Sequence, residues 1–481
     1  MTYCAPFQYY SILRQKNSFI LESVRGSLIT ARYSFIGFDP YLIVKAKGEL
    51  VEIQKDNKRS LSTKNPLTRL KELLRDYPQR LSSDLPPFQG GAAGLLSYDL
   101  VRCIENIPNE AIDDLNIPIL HFFMIDRLIA IDHLKKMAWL LYCPGVRDDG
   151  IVFNESKLDW KEKYDEASGF LDTTSSFLES ELLLCSSNIV KPPFRDIEIV
   201  HEMKKQRYMN MVKRALEYIS SGDIFQANLS QRLSAYIKDV DPWQIYRLLS
   251  SVNPSPFACF LDFGDYQIVS SSPERLVRVR AASDRSLVVD TRPIAGTRPR
   301  GKDIGEDDAL RSDLLLNEKE RAEHIMLIDL ERNDIGRVCK YGSVCVDEMM
   351  TTEDYSHVIH IVSNVKGILN SGKDCIDVIR AVFPGGTITG VPKVRCMQII
   401  DELEPVARGP YTGSIGYIGY AQNMDLNIII RSFVVKDSTA YVQAGAGIVA
   451  DSDPEREYYE TLSKAEALIK TLKILYCGGS L

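Results

Sequence analysis

Between Phe383 and Lys464, three glycine clusters alternate with short β-branched runs, and a charged helical segment closes the region. The segments are FPGGTITGVPK (383–393), RGPYTGSIGYIGY (408–420), NIIIRSF (427–433) and QAGAGIVADSDPEREYYETLSKAEAL (443–468). Glycine lets a backbone come close to a ligand and present consecutive N–H groups, which suits oxyanions. One cluster alone more often makes a turn. Three clusters, with Arg431 among them and Glu457-x-x-Glu460 just beyond, suggest a site for a small anion plus a cation.

At 481 residues the chain is long for one domain, and two lobes are the default. Residues 1–145 read as a strand-rich N-terminal lobe, 146–200 as a helical connector and 201–475 as the lobe carrying the chemistry. The net charge of −7 gives no reason to expect nucleic acid, which favours a basic stripe, or an anionic membrane surface. No apolar run approaches the roughly 20 residues that span a bilayer. The N-terminus lacks the apolar core of a signal peptide. Ten cysteines without a CxxC fit reduced thiols better than a disulfide scaffold or a zinc site. A cytoplasmic location is expected.

Short runs such as YLIVKA (41–46) and MAWLLY (137–142) read as strands, and 66–76 as an amphipathic helix. A long helix is expected before Gly222, and another over Asn317–Asp334. Strand runs with interspersed helices, lacking a steady βαβ alternation, favour an α+β architecture. Neither GxGxxG nor GxxxxGK[ST] occurs, which argues against dinucleotide and P-loop sites.

Glu320 and Glu323 lie three apart on one expected helix, and Glu457 and Glu460 three apart on another. Taken singly, each pair reads as a solvated face, with Glu460 to Lys464 an ordinary i,i+4 salt bridge. Facing one anion pocket, the two pairs could hold a hard divalent cation. Magnesium fits best, because it takes few carboxylates and shares its shell with water and substrate. His357 and His360 sit on SHVIHIVS, ambiguous between strand and helix, where i and i+3 could flank one pocket. HExxH is missing, so they do not read as a zinc site.

PIAGTRPRG (293–301), ERAEHIMLIDLERND (320–334), SHVIHIVS (356–363), PKVRCMQIIDELEP (392–405), GSIGY and AGAGIVADSDPE closely resemble the chorismate-utilising enzymes. Within that family the chain resembles component I of anthranilate synthase or of aminodeoxychorismate synthase. The resemblance implies two large, mainly antiparallel β-sheets packed together with helices outside, and a Mg²⁺-dependent site for chorismate. By motif, Glu323 and Glu460 would bind magnesium, supported by Glu320 and Glu457. Backbone of Gly445, Ala446 and Gly447 would hold the ring carboxylate. Tyr411, Arg431, Thr387 and the amides of Gly413 and Ser414 would grip the enolpyruvyl carboxylate. Lys464 and His360 would lie beside the reacting ring, His360 with an imidazole titrating near the operating pH.

Relatives that add water carry a lysine base where this chain has Gln226, so ammonia is the expected nucleophile. No GxCxG elbow surrounds any cysteine, so a separate glutamine amidotransferase should supply it. Aminodeoxychorismate synthases usually place lysine at the third position of PIxGT. Ala295 stands there, which leaves direct attack at C2 and the anthranilate route. FQANLSQR, FPGGTIT, GSIGY and MDLNI read more like aminodeoxychorismate synthases, and are expected to pack around the site without choosing the carbon attacked. LES (21–23), with Ser23, and NPSP (253–256), with Asn253, Pro254 and Ser255, resemble tryptophan-binding elements. An inactive regulatory or docking paralogue is a minor alternative, since all four metal carboxylates are retained.

Overall fold

The computed structural model describes residues 1–477 except 25, 27–30, 57, 78, 145, 148–158, 184–195 and 355–357. Two antiparallel sheets dominate it. The first runs, in spatial order, from Val200–His201 through Gln226–Tyr236, Thr439–Ile448, Ser432–Lys436, Tyr266–Ser272 and Phe257–Asp262. It continues into Ser18–Glu22, Tyr33–Gly37, Arg127–Asp132 and Met137–Tyr142. The second begins at Ile294–Pro299 and Val358–Ile368 and passes through Leu287–Arg292, Arg275–Ala281, Met424–Asn427 and Ser414–Gly419. It ends in Gly91–Leu96, Leu120–Ile125 and the hairpins from Leu42 to Ser62.

Apolar side chains from the inner faces meet between the sheets. Phe19 of the first stacks on Phe123 of the second at 6.4 Å, within a core that includes Phe35, Phe88, Phe263 and Tyr417. Outer faces are covered by helices. Pro242–Val252 and Pro454–Cys477 bury Trp243, Leu468 and Leu472 against the first sheet. Pro66–Arg75 presents Leu67, Leu70 and Leu74 at helical spacing to the second sheet's core. The expected two-sheet α+β class with helices outside is the observed one. Among the described residues, no helix is long and apolar enough to cross a membrane.

The divisions drawn at residues 145 and 200 separate stretches of chain, not sheets. Ser18–Glu22 pairs with Phe257–Asp262, and Gly91–Leu96 pairs with Ser414–Gly419, so both sheets run across them. Non-local pairing of this kind leaves no mark on local periodicity. Helix Trp160–Leu182 occupies the connector.

Lys205–Ser220 forms the helix expected before Gly222, whose φ of +81° turns the chain out of it. SHVIHIVS resolves as the strand Val358–Ile368, so positions three apart on it face opposite ways. His357 lies outside the described residues.

Candidate active site

The glycine-rich segment 443–447 is the end of strand Thr439–Ile448, paired with Gln226–Tyr236 so that Gly447 faces Asn228 and Gly445 faces Ser230. Side chains crowd this backbone. A Cβ at Gly445 would lie 2.5 Å from Asn228 Oδ1 and 2.8 Å from the Tyr411 hydroxyl; one at Gly447 would lie 2.6 Å from Gln226 Nε2. Polar groups therefore converge where a side chain cannot fit. Gln226 Oε1 and Asn228 Oδ1 are buried with no hydrogen-bond partner among the described residues. Buried polar atoms are normally satisfied, so these are held ready for a ligand.

The chain then turns into helix Pro454–Cys477, where Asp453 caps the amides of Glu455 and Arg456 at 3.1 and 2.9 Å. This start puts Glu457 and Glu460 in the first two turns. Lys464, one turn further, donates to the Gly445 carbonyl at 3.0 Å and pairs with Glu460 at 2.8 Å. Helix Glu318–Gly336 starts in the same way, with Asn317 accepting from the Glu320 amide at 3.0 Å.

Electrostatics bring the two helices together. Burial raises the Glu323 carboxyl, Lys319 opposes the rise, and Glu320, Glu460 and Glu457 add to it. Glu457 is likewise raised by burial and by Glu460, against Ser452. The four carboxylates thus share one region. Among the described residues, no three acidic, histidine or cysteine side chains converge tightly enough to hold a metal by themselves. Glu457 Oε2 is buried without a hydrogen-bond partner among those residues. A sparse set of hard oxygen donors gathered in one region suits a magnesium ion completed by water and substrate.

His360, buried on strand Val358–Ile368, packs against the turn of PIAGT. Its Nδ1 stands 2.9 Å from Thr297 Oγ1 and 3.2 Å from the Gly296 carbonyl. A carbonyl only accepts, so a bond to it puts the proton on Nδ1 and leaves the lone pair on Nε2. Gly296 has a φ of +63°, and a Cβ there would lie 3.0 Å from Glu320 Oε2. Arg298 reaches the same carboxylate at 3.3 Å. Histidine strand and carboxylate helix therefore meet at this glycine, and Ala295 adjoins it, paired with Ile361. The expectation that His360 titrates near neutrality needs correction. Burial and the Arg431 guanidinium push it down to about 4, so the imidazole is neutral over the physiological range.

Glu274 belongs to the site and was missed in the sequence. It follows Ser270-Ser271-Ser272-Pro273 at a strand start and is buried. Burial raises it to about 7, while Thr387, the Ile294 amide, Arg431 and Lys464 pull it down. It therefore stands among three of the expected site residues. The usable signal was a lone acidic residue between the serines and a strand whose other charged residues, Arg275, Arg278 and Arg280, are all basic. Asn228 was missed for a similar reason, being one polar residue within an alternating strand.

One of the expected amide donors is engaged within the chain. The Gly413 amide donates to the Pro410 carbonyl at 2.9 Å, and the Ser414 hydroxyl to the Asn427 carbonyl at 2.6 Å. A tight turn uses the Gly413 amide, and the Ser414 hydroxyl ties two strands together. Of NPSP, Pro256 lines a cavity between the sheets, and Asn253, Pro254 and Ser255 lie outside its lining. Ser255 bonds Ser271 Oγ at 3.0 Å.

That cavity, about 930 Å³, is separate from the glycine site. It opens between the sheets and is lined by Leu21, Glu22, Ser23, Pro256, Tyr417 and Asn427 among others. Glu22 is half-buried there; loss of hydration raises its carboxyl to about 7, against the Tyr246 hydroxyl, which donates to it at 2.6 Å. The GSIGY and MDLNI segments contribute to this cavity through Ile415, Gly416, Tyr417, Asp425 and Asn427. FQANLSQR and FPGGTIT, in contrast, bring Gln226, Asn228 and Thr387 to the glycine site.

Residues 17–470 match the chorismate binding enzyme family. The chain is 42% identical to aminodeoxychorismate synthase component 1 of Bacillus subtilis (strain 168) over 477 residues, covering 98% of this chain and 96% of that protein. It is 43% identical to anthranilate synthase component 1 of Acetivibrio thermocellus over 456 residues, covering 95% and 90%. The crystal structure of anthranilate synthase component I from Streptococcus pneumoniae TIGR4 superposes with a TM-score of 0.78 at 34% identity, covering 97% of each chain. The chain belongs to the chorismate-binding enzymes, in the group that contains the anthranilate and aminodeoxychorismate synthase component 1 proteins.

Proposed function

We propose that this chain aminates chorismate with ammonia, in the presence of Mg²⁺, to give anthranilate, pyruvate and water. Ammonia comes from a separate glutamine amidotransferase, as the name component 1 carried by the relatives suggests. The observation that carries the product is Ala295, whose methyl group leaves no amine to form a covalent adduct with the ring.

Glu323 and Glu460 would hold the magnesium ion, with Glu320 and Glu457 behind them. When bound, it supplies Lewis-acid stabilisation of the substrate's ring carboxylate. The amides of the 445–447 backbone orient that carboxylate. Arg431, Tyr411 and Thr387 bind the enolpyruvyl end. Glu274, protonated over part of the neutral range, donates a proton to the departing 4-hydroxyl, which leaves as water while ammonia adds at C2. His360 Nε2 and Lys464 lie on the side where the C2 proton is removed. Loss of that proton expels the enolpyruvyl group, which gains a proton to become pyruvate, and the ring becomes aromatic.

The second reading is 4-amino-4-deoxychorismate as product. It is favoured by Asn228 and Thr387, which belong to segments resembling aminodeoxychorismate synthases and touch the substrate site, not only its surroundings. Incubating the purified chain with chorismate, Mg²⁺ and ammonium salt, then chromatographing the products, separates the two. Anthranilate with equimolar pyruvate supports the first. An aminated product that yields 4-aminobenzoate only after a lyase is added supports the second. Glutamine should replace ammonium only when an amidotransferase partner is present.

A further inference from the structure

Strand Gln226–Tyr236 carries Gln226 and Asn228, yet its outer edge is covered discontinuously. Gly390–Val391 pairs with residues 226 and 227, and Val200–His201 with 233 and 234. The Asn228 amide reaches the Thr389 carbonyl at 2.9 Å, and among the described residues no strand covers the Asn228 carbonyl or Ser230 on that side. An unpaired edge at this depth would leave backbone groups unsatisfied. Two buried side chains fill the gap. Arg408 Nη2 donates to the Asn228 carbonyl at 2.6 Å, and Glu404 Oε1 accepts from the Ser230 amide and hydroxyl, both at 2.8 Å.

The guanidinium has five N–H donors, and each finds an acceptor. Nε and Nη2 reach the two oxygens of Glu404 at 3.0 and 2.8 Å, and Nη2 also reaches Asn228. Nη1 reaches the Ile388 carbonyl at 2.9 Å and Thr412 Oγ1 at 3.3 Å. Both side chains are nearly inaccessible, at 1% and 2% exposure. Rings of Tyr98 and Tyr411 lie 5.0 and 5.6 Å from the guanidinium carbon. The three segments joined are those that carry Asn228, Thr387 and Tyr411.

A buried ion pair is weak evidence for stability, because desolvation offsets the attraction. What this pair provides is geometry. We propose that Arg408 and Glu404 are positioning residues that stand in for a missing strand behind the substrate pocket and set Asn228, Thr387 and Tyr411 against the glycine backbone. This rests on the reading that the pocket takes chorismate. Lysine at 408 keeps the charge but offers three donors in a different shape, so it cannot hold all three segments.

The test compares Arg408→Lys and Ser230→Ala with the wild-type chain, measuring chorismate consumption, the KM for chorismate, the Mg²⁺ concentration for half-maximal rate, and Tm. Failure of the wild-type chain to consume chorismate would defeat the substrate reading, whatever the variants do. With an active wild type, Arg408→Lys should lower kcat/KM about 10- to 100-fold, the range for a small misplacement of binding groups. Half-maximal Mg²⁺ should stay within about twofold, because the metal carboxylates sit on other helices. Ser230→Ala removes the hydroxyl's bonds to Glu404 and from Gln443, keeps the amide bond to Glu404, and should lower kcat/KM by a smaller factor in the same direction. A merely structural pair would lower Tm and yield while folded variants kept wild-type KM and kcat, and that result overturns the proposal. If Arg408→Lys does not fold, Ser230→Ala decides: an unchanged KM and kcat for chorismate overturns it.

Discussion

Lys464 Nζ lies 3.0 Å from the Gly445 carbonyl and 2.8 Å from Glu460 Oε1. One side chain thus joins the glycine strand to the carboxylate helix, so the proposed anion and cation sites are held at a set separation. Glu460 remains half exposed despite the pair, which leaves it open to a metal from the solvent side.

Replacing either leading carboxylate should separate turnover from folding. Glu323→Gln and Glu460→Gln are expected to lose at least about 100-fold in activity, beyond what supporting groups around a metal usually cost. Circular dichroism should be unchanged, and added Mg²⁺ should partly restore the rate. Full turnover in excess chelator would end the magnesium reading.

Gly445→Ala tests the close approach of polar groups to the backbone. The new Cβ would sit 2.5 Å from Asn228 Oδ1 and 2.9 Å from the Leu229 carbonyl, and the strand must shift. We expect about 1–3 kcal/mol of destabilisation in a denaturant titration, with a rise in the KM for chorismate. A variant with wild-type KM would mean that the glycine serves packing alone.

Glu274 should set an alkaline limb in the rate. Its carboxyl is raised by burial to about 7, and a general acid must be protonated. Its contribution is therefore present below that pH and lost above it, and Glu274→Gln should abolish both the limb and most of the activity. The linkage has the same sign. The folded state holds this proton more tightly than the unfolded chain, whose glutamates titrate near 4.3. The stabilisation is full below that value and is lost as pH rises through about 7, which urea melts across pH 4–8 can measure.

His360 should contribute no limb near pH 6.5. Burial and Arg431 hold it at about 4, so it works as a neutral imidazole throughout the useful range. His360→Met should slow elimination more than amination, and the aminated ring should accumulate in a quenched reaction. Equal slowing of both steps would remove the assignment.

The inter-sheet cavity makes a separate test. Ser23 lines it, and its hydroxyl donates to the Pro256 carbonyl at 3.2 Å. If the cavity takes tryptophan, millimolar or lower tryptophan should slow turnover, and Ser23→Phe should relieve the inhibition by filling the space. Calorimetry showing no tryptophan binding to the wild-type chain would assign the cavity another role.

Much of the site was legible because its signals are local. Caps, glycines and i,i+3 carboxylates lie within one element, and DSDPE and NEKERAE mark both helix starts with their acidic first turns. Glu274 escaped because a single acidic residue in a strand looks like any edge residue until burial is known. Gly413 misled because a glycine that presents its amide to a ligand and one that closes a turn have the same local pattern.

Most element types, the glycine clusters and the chemistry of the donor groups were set by the sequence alone, since each is read from neighbours a few residues away. The tertiary structure alone decided that both sheets run across the expected lobe boundary, that helices 318–336 and 454–477 bring their carboxylates together, and that His360 is neutral. Those outcomes depend on pairing between residues hundreds of positions apart and on removal from water. Neither leaves a trace in local periodicity.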